Sequence, residues 1–258
     1  MRVERTIVGV RRELAQRQGT IGLIPTMGAL HAGHVSLFEA ARAESDVVVV
    51  SVFVNPAQFG PDEDLAGYPR DLERDTATAE SAGVDVVFAP EVGELYPSGY
   101  QTWIDVKELS QPLEGEFRPG HFRGVATVCL KLFNIVRPHR AYFGQKDAQQ
   151  AMVLRRMVSD LNLELELRVL PTVRDPDGLA VSSRNAYLSS DDRKRALALP
   201  RALASHDRAR ALETLRAADI EPDYVDVLTD GDTRVLAGAV RVGCTRLIDN
   251  VPLEGGPQ

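Results

Sequence analysis

A short stretch near the start of the chain combines two histidines with two glycines. It spans residues 25–34, and the histidines, His31 and His34, stand three positions apart. An imidazole in such a stretch donates hydrogen bonds to phosphate oxygens as charge builds at phosphorus during nucleotidyl transfer. Two histidines at this spacing could instead bind a metal ion, although we find no clear third ligand. They could also lie inside a core with their hydrogen bonds made to other protein groups. The pattern alone leaves these three interpretations open.

The elements on either side of this stretch predict where it lies. Residues 21–24 are apolar and indicate a strand, and residues 35–42 indicate a helix. Ligands of open α/β sheets bind in such loops, at the carboxyl ends of strands. The helix N-terminus adds backbone N–H groups and a positive dipole end, which suit phosphate. We expect Gly28 and Gly33 to let a ligand approach the backbone closely.

Two later segments offer further groups for an anion. Lys146 follows the predicted strand 140–143 and precedes a helix, where a lysine meets phosphates as a point charge. Residues 182–184 place two hydroxyls and a guanidinium in one polar loop. Each segment alone is also typical of a solvated surface. Taken with residues 25–34, they predict an anion site on one side of a parallel sheet.

Amide, imidazole and carboxylate side chains stand at other junctions between predicted elements. Gln58 and Gln150 suit the orientation of a hydroxylated or carboxylated ligand, and His121 lies in a Gly/Pro-containing loop as a candidate substrate contact. Asp75 and Asp147 are candidates for holding Mg²⁺, which binds through one or two carboxylates plus phosphate. Their alternative roles are helix solvation and N-capping.

Strands and helices alternate along the first two thirds of the chain, which predicts an α/β fold. The valine-rich run 46–54 indicates a strand buried on both faces, as in a parallel sheet. We expect a Rossmann-like doubly wound parallel sheet over residues 1–174 and a smaller C-terminal α+β lid domain over 175–258. The other predicted strands are 84–88, 102–106, 163–170, 224–228, 239–242 and 245–248. The other predicted helices are 5–17, 68–82, 125–136, about 147–161 and 189–205.

Length, charge and cysteine content limit the class of protein. The 258 residues suffice for one large α/β domain plus a small one, and the net charge of −7 weighs against nucleic-acid binding. No apolar run is long enough to span a membrane, and no signal-peptide segment follows residues 1–5. Cys129 and Cys244 lack metal-ligand spacing, which favours reduced thiols and a cytoplasmic protein. We therefore expect small-molecule ligands, with neither a nucleic acid nor a membrane as partner.

Seven sets of residues, in order along the chain, match one enzyme family. They are 25–28 with 30–34; 52–56 with 58–59; 68–70; 118–125; 143–147 with 149–150; 177–180 with 182–185 and 187–188; and 245–250. On these residues the chain resembles the pantoate–β-alanine ligase family of the H-x-G-H nucleotidyltransferase superfamily. The H-x-G-H stretch alone would indicate only the superfamily, whereas the whole set is specific. One departure is a segment between about residues 206 and 241 that looks shorter than the family leads us to expect.

The resemblance implies a two-step, AMP-forming ligation. ATP and pantoate would give pantoyl adenylate and diphosphate, and the amine of β-alanine would then attack the activated carbonyl to give pantothenate and AMP. It also implies Mg²⁺ with ATP, a homodimer, and a metal-linked role for Asp75.

The same resemblance implies a set of site residues. His34 would be the proton donor, His31 a phosphate partner and Lys146 a third catalytic residue. Gln58 would contact pantoate and β-alanine, and Gln150 would contact pantoate. The residues implied to bind ATP are Met27, Gly28, Ala29, Leu30, His31, Ala32, Gly33, His34, Gly144, Gln145, Lys146, Asp147, Val173, Val181, Ser182, Ser183 and Arg184.

Two rival functions stay open at this stage. An adenylyltransferase that joins AMP to a phosphorylated acceptor would keep the H-x-G-H stretch and the 182–184 loop but would need no paired glutamines. A nucleotide-binding regulator that has lost catalysis would not be expected to retain His34, Lys146 and Gln150 together.

Overall fold

The structure is a computed structural model that describes residues 1–61, 63 and 65–253. The described residues form two compact units. The first takes Met1–Phe143 and Val153–Leu170, and the second takes Gly144–Met152 and the chain from Pro171 onward. The short segment after residue 143 thus groups with the C-terminal part of the chain. The predicted boundary near residue 175 stays a prediction.

The strands and helices of the described residues are as follows. The strands are β1 (Arg2–Glu4), β2 (Ile21–Thr26), β3 (Val47–Val52), β4 (Val86–Phe88), β5 (Arg140–Gly144), β6 (Glu166–Leu170), β7 (Pro222–Asp230), β8 (Thr233–Val242) and β9 (Thr245–Pro252). The helices are α1 (Ile7–Leu14), α2 (Ala32–Glu44), α3 (Leu72–Ser81), α4 (Val92–Leu95), α5 (Glu114–Phe117), α6 (His121–Val136), α7 (Ala148–Asp160), α8 (Ser190–Ala196), α9 (Ala198–Leu203) and α10 (Arg208–Ala217). Short 3-10 turns cover Pro56–Gln58, Gln145–Asp147 and Ser183–Tyr187.

The first unit is built on a parallel sheet, whose described strands run in the order β1-β4-β3-β2-β5-β6. In the register of β2, Leu23 lies between Val49 of β3 and Ala141 of β5. The chain passes from β2 to one side of the sheet and reaches the other side only with β5, so β2 lies where the strand order reverses. Ligands of open α/β sheets bind beyond the carboxyl ends of strands at this point. The prediction of a Rossmann-like parallel sheet is confirmed.

β3 shows why its sequence is almost continuously apolar. Successive side chains of a strand point to opposite faces. Val49 belongs to a core cluster that includes Leu132 of α6. Val48 and Val50 belong to another, which includes Phe38 of α2. Helices therefore cover both faces of the sheet, and the strand ends remain for the site.

The second unit carries an antiparallel sheet in which β8 lies between β7 and β9 among the residues described there. In the register of β8 and β9, Ala237 faces Asn250 and Gly238 faces Asp249. The strands share a core cluster with α9 and α10, which includes Leu199, Leu203, Leu215, Leu236 and Val240. The prediction of a smaller α+β part toward the C-terminus is confirmed in its elements.

One predicted strand is wrong. Residues 102–106 lie in the described part of the chain and form no strand. The backbone N–H of Ile104 donates to the Thr127 hydroxyl at 3.0 Å rather than to a neighbouring strand. The aromatic and β-branched composition of this stretch favours a strand, but the hydrogen bond goes to a side chain of α6.

Several predicted helices have different bounds in the structure, and for two of them the local reason is clear. The helix predicted over 68–82 begins at Leu72, because Asp71 accepts a hydrogen bond from the N–H of Arg74 at 3.0 Å and caps it. The helix predicted over 189–205 is divided at Leu197 into α8 and α9. Pro200, in the first turn of α9, has no N–H with which to continue a longer helix. Four further elements, β1, α4, α5 and α10, were not predicted from the sequence.

Candidate active site

The histidine-bearing loop follows β2 and bends back on itself. Gly28 has a φ of 84° and Ala29 a φ of 52°, both in the left-handed region, which favours glycine. The N–H groups of Ala29 and Leu30 donate to the two carboxylate oxygens of Asp75, at 3.0 and 2.8 Å. Asp75 belongs to α3 and is 2% exposed. A carboxylate from another element therefore holds the loop in shape.

The two glycines serve the packing of the protein itself. A Cβ on Gly28 would lie 2.6 Å from a carboxylate oxygen of Asp75, and one on Gly33 would lie 3.0 Å from the ring of His31. Asp75 and an imidazole thus fill the side of each glycine that a Cβ would take. The approach of a ligand to the backbone of both glycines stays a prediction.

His31 and His34 are fixed relative to each other by the start of α2. The carbonyl of His31 accepts hydrogen bonds from the N–H groups of His34 and Val35, at 2.8 and 3.1 Å. The N–H of His31 donates to Nδ1 of His34 at 3.3 Å, and the ring centroids are 4.1 Å apart. Because Nδ1 of His34 accepts, the neutral ring carries its proton on Nε2. That N–H is a donor suited to a phosphate oxygen.

Gln58 lies in the 3-10 turn that follows β3 and is held by a chain of polar contacts. Its Oε1 accepts from Nδ2 of Asn55 at 3.0 Å, and its Nε2 donates to the sulfur of Met27 at 3.2 Å. The Asn55 Oδ1 accepts from the Tyr96 hydroxyl at 2.9 Å. Burial raises the pKa of Tyr96, so its hydroxyl stays a donor. The network joins the loops after two adjacent strands and orients the Gln58 amide.

A buried histidine supports Gln58 from α6. His121 is 8% exposed, and its Nδ1 donates to the Gln58 carbonyl at 2.9 Å. Arg118 donates to His121 Nε2 at 3.1 Å and pairs with both carboxylate oxygens of Glu63, at 2.8 and 2.7 Å. Burial, and next the charge of Arg118, lower the pKa of His121 to about 4. His121, predicted as a candidate substrate contact, thus acts near neutral pH as an uncharged support for the Gln58 turn.

Helix α6 comes unusually close to this turn. A Cβ on Gly124 would clash with the carbonyl of Ala57. The Gly124 carbonyl also accepts from Nδ2 of Asn55 at 3.1 Å. A glycine at this position therefore fixes the distance between α6 and the residues that hold Gln58.

The second unit holds the other candidate segments. Lys146 lies in the Gln145–Asp147 turn, with Nζ 3.6 Å from Oδ1 of Asp147. Val173 and Val181 are paired by a hydrogen bond from the N–H of Val181 to the carbonyl of Val173, at 3.0 Å. The hydroxyl of Ser182 caps the following turn by accepting the N–H of Arg184 at 3.3 Å.

The predicted site residues divide between the two units. The first unit contains Met27, Gly28, Ala29, Leu30, His31, Ala32, Gly33, His34, Gln58 and Asp75. The second contains Gly144, Gln145, Lys146, Asp147, Gln150, Val173, Val181, Ser182, Ser183 and Arg184. Sequence reasoning gave Asn55 and His121 no positioning role. One feature of the sequence could have indicated a role for Asn55, because this residue lies directly between a buried strand and a proline.

The described residues include no group of three or more His, Cys, Asp or Glu side chains arranged to hold a metal ion. Mg²⁺ commonly binds through one or two carboxylates plus substrate phosphates and keeps several waters. The donor set is therefore compatible with Mg²⁺ that arrives with a nucleotide.

In residues 1–61, 63 and 65–253, no helix is long and apolar enough to cross a membrane.

Asp75 gives a first prediction, because anchoring the loop and binding a metal have different consequences. Asp75→Asn places an NH₂ group against a backbone N–H, and we expect it to cost about 1–3 kcal/mol of unfolding free energy. Loop displacement should also lower turnover by up to about 100-fold. Urea unfolding and diphosphate release at increasing Mg²⁺ measure the two effects.

The matched control is Asp71→Ala, which removes the cap of the same helix but does not touch the loop. It should cost about 1 kcal/mol of stability and leave turnover unchanged. Recovery of Asp75→Asn turnover at high Mg²⁺ would contradict the anchoring role and favour a metal ligand.

His121 gives a second prediction, on stability against pH. Its folded pKa of about 4 lies below the ordinary value of 6.5, so the unfolded chain binds the proton first as pH falls. The free energy of unfolding should therefore fall by up to about 1.4 kcal/mol per pH unit between these values. Glu63, Glu114 and Arg118 are the charged groups acting on it.

The measurement compares wild type with His121→Asn, which keeps a donor near Nδ1 but does not titrate. Fluorescence of Trp103, the single tryptophan of the sequence, reports unfolding of the first unit. Thr6→Ala, which removes the cap of α1, is the control and should keep the wild-type slope. Equal slopes for wild type and His121→Asn would show that His121 titrates normally.

The fold and this loop together define a class of protein. A parallel sheet with a histidine-bearing, glycine-containing loop at its reversal point is a Rossmann-like α/β protein built for a phosphate-containing ligand. An amide network stands beside that loop.

Comparison with known sequences narrows the class. The sequence model of the Pantoate-beta-alanine ligase family matches residues 2–252. A pantothenate synthetase from Roseiflexus castenholzii is 56% identical over 277 residues, covering 98% of this chain and 100% of that protein. One from Moorella thermoacetica is 53% identical over 281 residues, covering 98% and 99%.

Solved structures agree with the sequences. A crystal structure of pantothenate synthetase from Thermus thermophilus has a TM-score of 0.92 at 46% identity, covering 100% of both chains. A pantoate-beta-alanine ligase from Francisella tularensis, complexed with beta-gamma ATP and beta-alanine, has a TM-score of 0.87 at 37% identity and the same coverage. The chain belongs to the pantoate–β-alanine ligase family, a family of ligases that form pantothenate.

Proposed function

We propose that this protein condenses pantoate with β-alanine to form pantothenate, using ATP and releasing AMP and diphosphate through a pantoyl-adenylate intermediate. The observation that carries the proposal is the contact between Gln58 and Met27, which sets an oriented amide against the histidine-bearing loop. An amide suits a hydroxylated carboxylic acid, and the loop suits phosphate. The family match over nearly the whole chain supports the same reaction.

The first step joins pantoate to AMP. A carboxylate oxygen of pantoate attacks the α-phosphorus, a new O–P bond forms, and the bond to the diphosphate leaving group breaks. The Nε2–H of His34 would donate to a phosphate oxygen as charge builds, with His31 beside it. Lys146, Ser182, Ser183 and Arg184 would neutralise the departing diphosphate.

The second step forms the amide. The amine of β-alanine attacks the acyl carbon of the adenylate, the C–N bond forms, AMP leaves with the electrons of the C–O bond, and the amine loses a proton. Gln58 would orient both pantoate and β-alanine, and Gln150 would contact pantoate. Holding the two reactants in place contributes much of the rate enhancement in reactions of this kind.

Mg²⁺ bound with ATP would supply positive charge to the phosphates, and Asp147 is the carboxylate proposed to face it, because both carboxylate oxygens of Asp75 accept backbone N–H groups of the loop. The remaining ATP contacts are assigned to backbone and small side chains. They are Gly28, Ala29, Leu30, Ala32, Gly33, Gly144, Gln145, Val173 and Val181. We also infer a homodimer, which the family resemblance supports. We infer a cytoplasmic location, which the free thiols of Cys129 and Cys244 support.

The test follows one oxygen atom. With pantoate labelled by ¹⁸O in its carboxylate, AMP should acquire one labelled oxygen, and diphosphate release should require pantoate. Pantothenate should form only when β-alanine is added. Diphosphate release with a phosphorylated acceptor but not with pantoate would favour the rival adenylyltransferase. Nucleotide binding without any diphosphate release would favour a regulatory protein.

A further inference from the structure

Two consecutive residues of β9, Asp249 and Asn250, contact two segments that the proposed function assigns to ATP. Their exposed fractions are 3% and 4%. Successive side chains of a strand point to opposite faces, so one strand can reach a different segment with each residue. All the residues involved belong to the second unit.

Asn250 holds the turn that carries Lys146. Its Nδ2 donates to the carbonyls of Gln145 and Lys146, both at 2.9 Å. Its Oδ1 accepts from Nε2 of Gln145, also at 2.9 Å. Both donors and the acceptor of the amide are thus used, which fixes its orientation. No aliphatic side chain could replace these contacts, and an aspartate would set a carboxylate oxygen against two carbonyl oxygens.

Asp249 holds the hairpin that precedes Ser182. Its carboxylate accepts two hydrogen bonds from Arg174, at 2.7 and 3.0 Å, in a bidentate pair. Arg174 pairs with Ala180 across the hairpin and donates to the carbonyl of Gly178 at 3.2 Å. Beyond the hairpin, the chain enters the turn capped by Ser182.

We propose that Asp249 and Asn250 are positioning residues for ATP, Asn250 acting through Lys146 and Asp249 acting through the 182–184 loop. This inference rests on the proposed function of those two segments. β9 then supports both segments, because Asn250 fixes the turn that carries Lys146 and Asp249 fixes the hairpin that precedes the 182–184 loop. The phosphate-binding groups of this unit are thereby held as one array.

The experiment is a set of double-mutant cycles on the whole protein, with the dissociation constant for ATP measured by calorimetry. Asn250→Ala should weaken ATP binding about tenfold in the wild-type background, a typical coupling through one group. In the Lys146→Ala background it should have no further effect, because the ammonium group that Asn250 positions through the backbone of the turn is gone. Asp249→Asn should behave in the same way toward Arg184→Ala.

The cross combinations are internal controls. Asn250→Ala with Arg184→Ala should be additive, as should Asp249→Asn with Lys146→Ala. Leu247→Val, on the same strand and in the core of the unit, should lower stability and leave ATP affinity unchanged. Asn250→Ser serves as the second variant if Asn250→Ala does not fold.

Equal losses with and without Lys146 would overturn the role of Asn250, as would a loss of affinity in Leu247→Val as large as in Asn250→Ala. Equal losses with and without Arg184 would overturn the role of Asp249. Wild-type protein that binds ATP but releases no diphosphate with pantoate would contradict the proposed function alone, since the cycles in affinity would still test the positioning role. Wild-type protein that does not bind ATP would contradict both.

Discussion

His34→Ala is expected to lower pantoate-dependent diphosphate release by about 100- to 1,000-fold, the usual cost of removing one preorganised donor from a developing charge. The reason is the tautomer that the loop imposes. The N–H of His31 donates to Nδ1 of His34, so in the neutral ring Nε2 carries the proton and is the ring atom proposed to donate to phosphate. Steady-state release of diphosphate with saturating ATP and pantoate measures the loss.

Two isosteric variants separate the two ring nitrogens of His34. Glutamine places an NH₂ group near Nε2, so His34→Gln should retain part of the activity lost in the alanine variant. Asparagine places its amide near Nδ1, so His34→Asn should be as poor as alanine. Higher activity in the asparagine variant would show that Nδ1 rather than Nε2 serves the reaction.

Lys146→Ala is expected to lower the adenylation step by about 100-fold, because a cation near the phosphates stabilises the departing diphosphate. The second step should be far less affected, since diphosphate has already left. Single-turnover reaction of chemically prepared pantoyl adenylate with β-alanine measures that step by itself. An equal loss in both steps would mean that Lys146 contributes to the fold rather than to diphosphate departure.

Lys146→Arg is the control for charge alone. It retains a positive charge, but its planar guanidinium replaces a compact point charge. Recovery of only part of the adenylation rate is expected, because the turn held by Asn250 places the backbone for a lysine side chain. Full recovery would show that charge without position is sufficient.

The sheet and the candidate segments could be predicted from the sequence because their signals are local. The valine run of β3 has the composition of a strand buried on both faces, and helices do cover both. The glycine–histidine stretch, Lys146 and the 182–184 loop each stand directly after or between recognisable elements. Residues adjacent in sequence are bound to be adjacent in space, so such patterns retain their meaning.

The secondary-structure predictions failed where an element depends on a partner that is distant in the sequence. Residues 102–106 are rich in aromatic and β-branched side chains, but a strand exists only where a second strand accepts its hydrogen bonds. β1 has three residues, too few for a periodic pattern, and it forms only because β4 is beside it. The predicted helix over 189–205 had the right composition, but Pro200 and Leu197 divide it.

By itself, then, the sequence determined the fold class, the family resemblance and the identity of most candidate site residues. Only the tertiary structure decided what holds them. Asp75 contacts Leu30 across 45 positions, and Asn250 contacts Lys146 across 104. Both contacts are hydrogen bonds between buried side chains and backbone groups, which almost any residue type can offer. The residue types at the accepting and donating backbone groups therefore do not reveal these contacts. The contacts form only once the fold has brought distant segments together.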